Sequence, residues 1–487
     1  AMKQILKSFA FAALALLAFS CGGDEPEVVT KPSLSIETKS IDFDFDGGSS
    51  TITFTANMDW TITSDSQWLQ LSPKSGSGST SAQNVTVTAI ANDEYLVREA
   101  TISISVGNIS KNVLVRQAAK EDVLGFHTLT IKEFRNKKTD KNTFYRIVAE
   151  VASISNYQYG NLYLVDDTGY LYVYGLTATK VAENDQSFAS LGIKPGDKIS
   201  IVGYRNDYQG TIEASGSYLE RITPGKYNGW RASSTKAGWM ELPATSDDDG
   251  HDIAAHMFHS DGLKGRSYSI YWDYENRVSL WEAYPLYFKA RGTGNRTDAW
   301  ALDPLIPEDK QFNVSKSSFR IGNGGSYIRG HQVPSFDRLN YKDNLDVFFC
   351  TNIFPQNAEF NEGLWSDLEE NVRTWSNQCD TLYVVTGVDV QGSTTYVLDN
   401  NDAHVTVPKG AYKALLRYSK KEGYSGVAFY MENKKPASGV TVSSSAMSIA
   451  DLEKKVGVDF FVNLPAAVGD AEAADIEKAD PSTLSWL

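Results

Sequence analysis

Two stretches in the second half of the chain carry side chains that could hydrolyse a phosphodiester bond at a metal ion. In the first, His331 follows an Arg-Gly pair in a glycine-containing turn. The second supplies amide, carboxylate and guanidinium groups, at Asn352, Asn361, Glu369 and Arg373. A neutral imidazole can take a proton from water, amide and carboxylate oxygens are ligands that Mg²⁺ accepts, and a guanidinium can neutralise charge on phosphate oxygens. The set therefore suits metal-assisted phosphodiester hydrolysis.

The spacing of these residues resembles that of the DNA/RNA non-specific endonucleases, a ββα-metal (His-Me finger) family. The matching motifs are Arg-Gly-His from Arg329, Asn-x-x-Pro-Gln from Asn352, and Asn-x-Gly-x-Trp-x-x-Leu-Glu-x-x-Val-Arg from Asn361. One position departs from the family, whose turn normally reads Asp-Arg-Gly-His. Ile328 stands at the Asp position, where it can neither accept a hydrogen bond nor order metal-bound water. The resemblance implies an endonuclease that cuts DNA, RNA or both into 5′-phosphorylated oligonucleotides.

The resemblance also implies roles for the imidazole and the two carboxamides. His331 would be the general base, which requires an imidazole that is neutral at ambient pH. Asn361 would be the direct ligand of Mg²⁺, with Mn²⁺ as the alternative metal, and Asn352 would position the phosphate or the base. Because Asn361 stands just before a predicted helix, it could also serve as the N-cap.

The charged residues of the site have their own implied roles. Glu369 would order metal-bound water, while Arg329 and Arg296 would stabilise charge in the transition state, with Arg373 a further guanidinium of the site. Glu369 and Arg373 are four residues apart, so the alternative is a helix ion pair worth roughly a few tenths of a kcal/mol.

The hydrophobic pattern predicts elements that would position these residues. Between residues 364 and 378, apolar side chains recur at intervals of three and four residues, at Trp365, Leu368, Val372 and Trp375. This is the buried stripe of a helix. It follows two predicted strands, which is the order strand, turn, strand and helix that a ββα-metal site requires. We predict an α+β nuclease domain over residues 226–470, followed by a C-terminal tail over 471–487.

The length of 487 residues predicts a multidomain α+β protein with about three domains. Residues 33–119 alternate apolar and polar side chains in short segments, which predicts a β-sandwich. This region resembles the BACON domains of Bacteroidetes surface proteins, which implies a possible glycan contact. Trp60 and Trp68 could stack on a sugar, although Trp in an alternating strand is more often core, and the pattern favours a spacer role.

Residues 124–222 predict five or so strands with a helical stretch near residues 187–191, and they look like an OB-fold β-barrel. Partly alternating tyrosines could form a stacking platform for bases, at Tyr163, Tyr170, Tyr172 and Tyr174. The alternative is that these side chains are ordinary residues of half-exposed strands.

The N-terminus carries an export signal. Lys3 and Lys7 precede the apolar run FAFAALALLAFS, which is too short for a bilayer span and predicts a signal peptide over residues 1–20. Leu-Ala-Phe-Ser before Cys21 resembles a lipobox, so Cys21 would be acylated and residues 21–32 would be a tether. The resemblance implies a cell-envelope lipoprotein, on the outer membrane or cell surface. An ordinary secretory signal with a chance Cys is the alternative.

Cys350 and Cys379 could form a disulfide after export. The alternative is that both remain buried thiols.

The net charge of −14 excludes nucleic-acid binding through bulk positive charge. Residues 226–487 hold 26 Lys and Arg against 35 Asp and Glu, a balance of −9, so binding must rely on local arginines and the metal. Two other functions stay open. The first is a weakened nuclease fold that binds nucleic acid, which Ile328 and the acidic charge suggest. The second is a surface glycan-binding lipoprotein, which the first domain suggests.

Overall fold

The protein is described by a computed structural model over residues 31–93, 97–119, 126–180, 185–232, 237–246 and 250–487. The chain divides into two compact units, with the boundary between residues 121 and 122. The predicted signal peptide, the acylation site Cys21 and most of the predicted tether lie outside the described residues. Within the described ranges, no helix is long and apolar enough to cross a lipid bilayer.

The first unit consists of two β-sheets that enclose a shared apolar core, so the predicted sandwich is observed. One sheet has the strand order β1-β3-β7-β5, and the other has the order β2-β9-β8-β4-β6. The strands are β1 (Leu34–Ile36), β2 (Ser40–Phe43), β3 (Gly48–Ala56), β4 (Trp60–Ser64), β5 (Leu69–Ser72), β6 (Ser75–Gly76), β7 (Ser79–Ala89), β8 (Arg98–Val106) and β9 (Ile109–Gln117).

The two tryptophans of this unit have different environments. Trp60 is 3% exposed, packs edge-on against Phe54 at 4.9 Å between ring centroids, and donates a hydrogen bond from Nε1 to Gln83 Oε1 at 2.7 Å. Trp68 is half-buried, with the guanidinium of Arg98 4.5 Å from its ring centroid. Trp60 is therefore a core residue that cannot stack on a sugar, as the alternating pattern favoured.

The second unit begins with a closed β-barrel. Its sheet has the order β10-β11-β12-β13-β15-β14, and β11 also pairs with β14, which closes the sheet on itself. Its elements are β10 (Thr128–Leu129), α1 (Ile131–Arg135), β11 (Phe144–Asn156), β12 (Asn161–Asp166), β13 (Gly169–Tyr174), β14 (Lys198–Tyr208) and β15 (Thr211–Thr223). A 3₁₀ turn at Ser187–Leu191 occupies the position of the predicted helical stretch. The barrel architecture expected for residues 124–222 is observed.

An eight-stranded sheet forms the rest of this unit. Its strands pair antiparallel throughout, in the order β16-β17-β18-β19-β22-β25-β26-β27. They are β16 (Gly229–Ala232), β17 (His251–Met257), β18 (Arg266–Asp273), β19 (Val278–Leu286), β22 (Thr381–Asp389), β25 (Gly410–Ser419), β26 (Gly423–Glu432) and β27 (Ala446–Met447). Two short ladders accompany the sheet, β20 (Ile328–His331) with β21 (Ile353–Gln356), and β23 (Tyr396–Leu398) with β24 (His404–Thr406). The helices are α2 (Phe288–Arg291), α3 (Tyr341–Asp346), α4 (Ala358–Phe360), α5 (Ser366–Ser376), α6 (Ile449–Val456), α7 (Leu464–Val468) and α8 (Asp470–Glu477).

Both faces of the large sheet are covered. Successive residues of a strand point to opposite faces, and Ile270 and Val384 lie in one core cluster while their neighbours Tyr271 and Val385 lie in another. The first cluster includes residues of β21, α4 and α5, and the second includes residues of α6 to α8. Four residues of the predicted stripe are buried in the first cluster, as expected: Trp365, Leu368, Val372 and Trp375. The ββα element thus packs on one face of this sheet.

The predicted tail also packs onto this domain. Ala473 of α8 is 2% exposed in the second cluster. Trp486 packs edge-on against Trp375 at 5.7 Å and donates a hydrogen bond from Nε1 to Ser425 Oγ at 3.0 Å. Residues 471–487 are therefore part of the folded domain.

The barrel and the large sheet belong to one compact unit and share specific contacts. Tyr170 donates its hydroxyl to the carbonyl oxygen of Thr297 at 3.4 Å, and Ser315 Oγ donates to the carbonyl of Ser155 at 3.0 Å. Tyr163, Tyr170 and Tyr172 are each partly buried, whereas Tyr174 is 58% exposed. Part of the tyrosine face predicted as a base platform therefore faces the region that contains the eight-stranded sheet.

A buried hydrogen-bond network connects the first strands of the large sheet with the loop before β21. Tyr227 donates its hydroxyl to Asp346 Oδ2 at 2.7 Å, and its oxygen lies 2.8 Å from His256 Nδ1. His256 Nε2 lies 3.1 Å from Asp303 Oδ2, which also accepts a hydrogen bond from Thr351 Oγ1 at 2.5 Å. The loop that leads to the site is thus tied to the sheet by buried polar contacts.

We expect Tyr227→Phe to lower the free energy of unfolding by about 1–3 kcal/mol, because it leaves Asp346 and His256 each with one buried hydrogen bond fewer. Urea unfolding measures the loss. Tyr208→Phe is the matched control, since Tyr208 is 62% exposed. Equal stability of the two variants would contradict a stabilising role for the network.

Candidate functional site

The site is built on the ladder of β20 and β21 and the helical segment that follows. The two strands pair antiparallel, with His331 opposite Ile353 and Arg329 opposite Pro355. At Gly330 an added Cβ would lie 2.0 Å from Gln356 Oε1 and 2.6 Å from Gln356 Cβ. A side chain at position 330 would therefore displace the partner strand, which explains the glycine between the arginine and the histidine.

A cleft of about 660 Å³ opens beside this element. It brings together six of the seven predicted catalytic and metal-binding residues: Arg296, Arg329, His331, Asn361, Glu369 and Arg373. The other residues that line it are Asp298, Trp300, Ser318, Ile328, Pro334, Ser335, Phe336, Glu362 and Ser366. Residues far apart in sequence thus converge on one cavity, as the resemblance implied.

His331 is a buried, neutral imidazole at this cleft. Its ring lies between Trp300 and Phe348, at centroid distances of 5.3 Å and 5.0 Å, and the residue is 9% exposed. Burial, together with the positive charges of Arg296 and Arg329, lowers the pKa of His331 to about 3. Its Nε2 atom is buried and has no hydrogen-bond partner among the described residues. The imidazole is therefore in the form that a general base requires.

Two arginines are held at the cleft by aromatic rings. The guanidinium of Arg329 lies 3.8 Å from the ring centroid of Trp300, and its Nη1 donates to the carbonyl of Val314 at 3.0 Å. Arg296 lies 5.1 Å from the Phe348 ring centroid and is paired with Asp298 at 3.0 Å. Both guanidinium groups are thus positioned beside His331, where an anion would approach.

Asn352, predicted to position the phosphate or the base, is a buried residue directly before β21. The residue is 0% exposed and does not line the cleft. Its Nδ2 donates to the carbonyls of Val333 at 3.0 Å and Val347 at 2.7 Å, while its Oδ1 accepts from the backbone nitrogen of Val333 at 2.7 Å. These bonds occupy the carboxamide, so Asn352 braces the loop after His331 instead of contacting substrate.

Asn361 is the cleft residue best suited to hold a metal ion. The helix N-cap is Asn357, whose Oδ1 accepts from the backbone nitrogen of Phe360 at 3.1 Å, so the N-cap alternative for Asn361 is wrong. Asn361 begins a π-helical turn at Asn361–Trp365 and has helical backbone angles. Its amide is left for the cleft, where Glu362 and Glu369 supply further oxygens.

The oxygen donors in the cleft fit a hard divalent ion. Among the described residues, no group of three or more His, Cys, Asp or Glu could hold a metal. A Mg²⁺-type ion, which keeps several of its water ligands, needs only one or two protein oxygens. The residues present therefore fit such an ion at Asn361, with waters as its other ligands.

Glu369 and Arg373 do not form the helix ion pair that was their alternative reading. Arg373 pairs instead with Asp337, at 3.5 Å from Nη1 to Oδ1. Lys413 affects the pKa of Glu369 through its charge. It is a fully buried lysine whose Nζ donates to Thr386 Oγ1 at 3.1 Å. Burial raises the pKa of Glu369 and lowers the pKa of Lys413, and the opposite charge of each partner counteracts both shifts. The charge of each group thus opposes the neutral form that burial favours in the other.

Phe336, which also lines this cavity, has no signal in the sequence and comes from a turn outside the matched motifs. Asp298 and Trp300 lie in the stretch RTDAWALDPLIP, which also resembles the family but does not by itself predict a contact with Arg296. Asp298 has a left-handed backbone with φ of 49°, and its carboxylate pairs with Arg296.

The two cysteines are free thiols, so the structure agrees with the second of the two alternatives and has no disulfide between them. Cys350 is buried, and burial raises its pKa to about 12. Cys379 donates weakly to the carbonyl oxygens of Trp375 and Ser376, each at 3.7 Å.

Comparisons with known proteins agree with this geometry. Residues 251–467 match the family model of the DNA/RNA non-specific endonucleases, and residues 33–120 match that of the viral BACON domain. The chain is 27% identical over 227 residues to Nuclease C1 of Cunninghamella echinulata var. echinulata, covering 44% of this chain and 88% of that protein. It is 29% identical over 206 residues to a nuclease of Nostoc sp., covering 40% of this chain and 72% of that protein.

A solved structure described as the EndoG/EndoGI complex aligns with a TM-score of 0.33 and 20% identity, covering 40% of this chain and 83% of that chain. The family-model matches agree with the two resemblances found in the sequence, to the DNA/RNA non-specific endonucleases over residues 251–467 and to BACON domains over residues 33–120.

The lowered pKa of His331 predicts an acid-sensitive contribution to folding. The unfolded chain takes up a proton on this histidine near its ordinary pKa of about 6.5, whereas the folded protein stays neutral there, so stability is lost as the pH falls below that value. Between pH 7 and pH 5 the loss should be about 2 kcal/mol. Urea unfolding of the wild type and His331→Gln in EDTA should show this loss in the wild type only, beyond effects shared by both. An equal pH dependence of the two proteins would mean that His331 titrates normally.

Proposed function

We propose that the protein is a metal-dependent endonuclease that hydrolyses phosphodiester bonds of DNA, RNA or both to 5′-phosphorylated oligonucleotides. The observation that carries this proposal is a neutral, buried His331 in the same cleft as Asn361 and three arginines. The relatives named nuclease and the family match over residues 251–467 support it.

The side chains of the cleft have distinct parts in the reaction. His331 accepts a proton from a water that attacks phosphorus opposite the 3′ oxygen. Arg329 and Arg296 neutralise charge on the non-bridging oxygens as the bond between phosphorus and the 3′ oxygen breaks. The 3′ oxygen takes a proton from water, which leaves a 3′ hydroxyl on one fragment and a 5′ phosphate on the other.

A metal ion completes this chemistry. Asn361 would hold Mg²⁺, or Mn²⁺ in its place, and Glu369 would orient its water ligands. When bound, the ion polarises the phosphate and stabilises the leaving oxyanion. Asn361 and Glu369 both line the cleft with His331, which supports this assignment.

We also propose that the enzyme is anchored in the cell envelope, at the outer membrane or cell surface, through a lipid on Cys21. The sequence before Cys21 supports this location. A glycan contact of the BACON region is a further proposal. It is supported by the family match and limited by Trp60, which lies in the core.

Cleavage of supercoiled plasmid and of RNA tests the function, with protein that begins after Cys21. Mg²⁺ or Mn²⁺ should support cutting, EDTA should stop it, and His331→Ala should slow it by about 10²- to 10⁴-fold, the usual contribution of a general base. His404→Ala is the matched control, because His404 is an exposed histidine that does not line the cleft.

Two outcomes of this assay lead to the alternative functions. If the wild type were as inactive as His331→Ala with both metals, the proposed catalytic activity would be wrong. Retained binding of nucleic acid would then indicate a nuclease fold that has lost activity, while binding on a glycan array would indicate a surface glycan-binding protein.

Because Ile328 is apolar at a position where the family has Asp, we predict that the cleft binds its metal with low affinity. The Ile328 side chain is half-buried and lines the cleft at the position where the family has Asp. Because a supporting carboxylate typically contributes 10- to 100-fold to metal affinity, Ile328→Asp should lower the Mg²⁺ concentration for half-maximal cleavage by about that factor. Ile321→Asp is the control, since Ile321 is 66% exposed and does not line the cleft. An unchanged Mg²⁺ requirement in Ile328→Asp would show that position 328 does not act on the metal.

A further inference from the structure

Phe336 is an exposed aromatic side chain inside the cleft. It is 49% exposed, although its neighbours Ser335 and Asp337 are 2% and 1% exposed. Of the large apolar side chains that are exposed in the described part of the chain, Phe336 alone lines this cleft. About half of this apolar side chain is therefore open to a ligand in the cleft.

The turn that carries Phe336 is rigid. Asn344 Nδ2 donates to the carbonyl of Ser335 at 3.1 Å and to the carbonyl of Arg338 at 2.7 Å. Asp337 accepts a hydrogen bond from the buried hydroxyl of Tyr284 at 2.7 Å. Both sides of the turn are therefore fixed to the domain, and the ring is presented to the cleft without a further cost in ordering.

The charge around the ring indicates what it meets. The guanidinium of Arg373 lies 5.5 Å from the ring centroid of Phe336 and is held by Asp337. Arg329 and Arg296 line the same cavity. A guanidinium beside an exposed ring, with two more arginines in the same cavity, suits a ligand in which negative groups alternate with flat aromatic groups, which is the chemistry of a nucleic-acid strand.

We propose that Phe336 stacks on an unpaired base next to the scissile phosphate, so that the enzyme prefers single-stranded nucleic acid. This inference rests on the proposed function of the same cleft. A base in a duplex already has neighbours on both faces and must leave the stack before it can reach a protein ring, whereas an unpaired base is free to stack. Stacking is tolerant of sequence, because every base has an aromatic face.

Cleavage kinetics on matched single-stranded and duplex oligonucleotides test the preference. Phe336→Ala should lower kcat/KM on the single strand by roughly 5- to 150-fold, the effect of losing one stacked base, with a much smaller change on the duplex. Phe336→Trp should retain the wild-type preference, and Tyr208→Ala, which removes an exposed aromatic outside the cleft, should change neither rate. A wild type without strand preference, or a Phe336→Ala loss that is equal on both substrates or absent from both, would overturn the proposal.

A binding measurement separates this inference from the proposed activity. A single strand containing 2-aminopurine should lose fluorescence on binding to the His331→Ala protein, because stacking quenches this base. The additional change Phe336→Ala should restore the fluorescence of the bound strand. Quenching that depends on Phe336 in a protein whose wild type cuts nothing would support the stacking site and refute the nuclease. Cleavage by the wild type together with quenching that ignores Phe336 would refute the stacking site alone.

Discussion

The carboxamide of Asn352 is the contact on which the geometry of the cleft depends. Its side chain bonds both backbone groups of Val333 and the carbonyl of Val347, and its own carbonyl accepts from the backbone nitrogen of Gln332 at 2.9 Å. The segment that follows His331 is thereby fixed to the residues that precede β21. A buried amide satisfied on all sides holds a unique arrangement, because any other arrangement leaves polar groups without partners. The segment after His331 and the start of β21 keep their separation for this reason.

Buried charge is the second constraint on the site. Lys413 stands in the middle of a strand covered on both faces, with its Nζ near Thr386 and 4.5 Å from the Trp365 ring centroid. Glu282, on the same sheet, is fully buried, and burial raises its pKa well above the ordinary range. An unpaired charge at such a depth costs several kcal/mol. The raised pKa of Glu282 favours its neutral form, and the opposite charges of Glu369 and Lys413 counteract the effect of burial on each other's pKa, so both arrangements reduce the cost of buried charge.

Sequence spacing predicted the site residues that belong to one local structural element. It did not predict the contacts between residues that are distant in sequence. His331, Asn361 and Glu369 lie within one continuous strand, strand and helix element, so spacing alone places them near one another. Asn352 has the expected spacing as well, but spacing does not determine whether a side chain points to the cleft or to the core. Phe336 and Lys413 gave no signal. One is an isolated aromatic in a turn, and the other is a lysine in a strand, a position that is usually half-exposed and here is covered by the ββα element.

The contrast between an acidic domain and an arginine-lined cavity has a consequence for the way a polyanion binds. Outside the cleft, the charge balance of −9 over residues 226–487 repels phosphates, so a long strand gains little by remaining against the protein surface. Attraction is confined to the groups that reach Arg296, Arg329 and Arg373. The affinity for a polyanion is therefore set by the cleft and rises little with the length of the polymer.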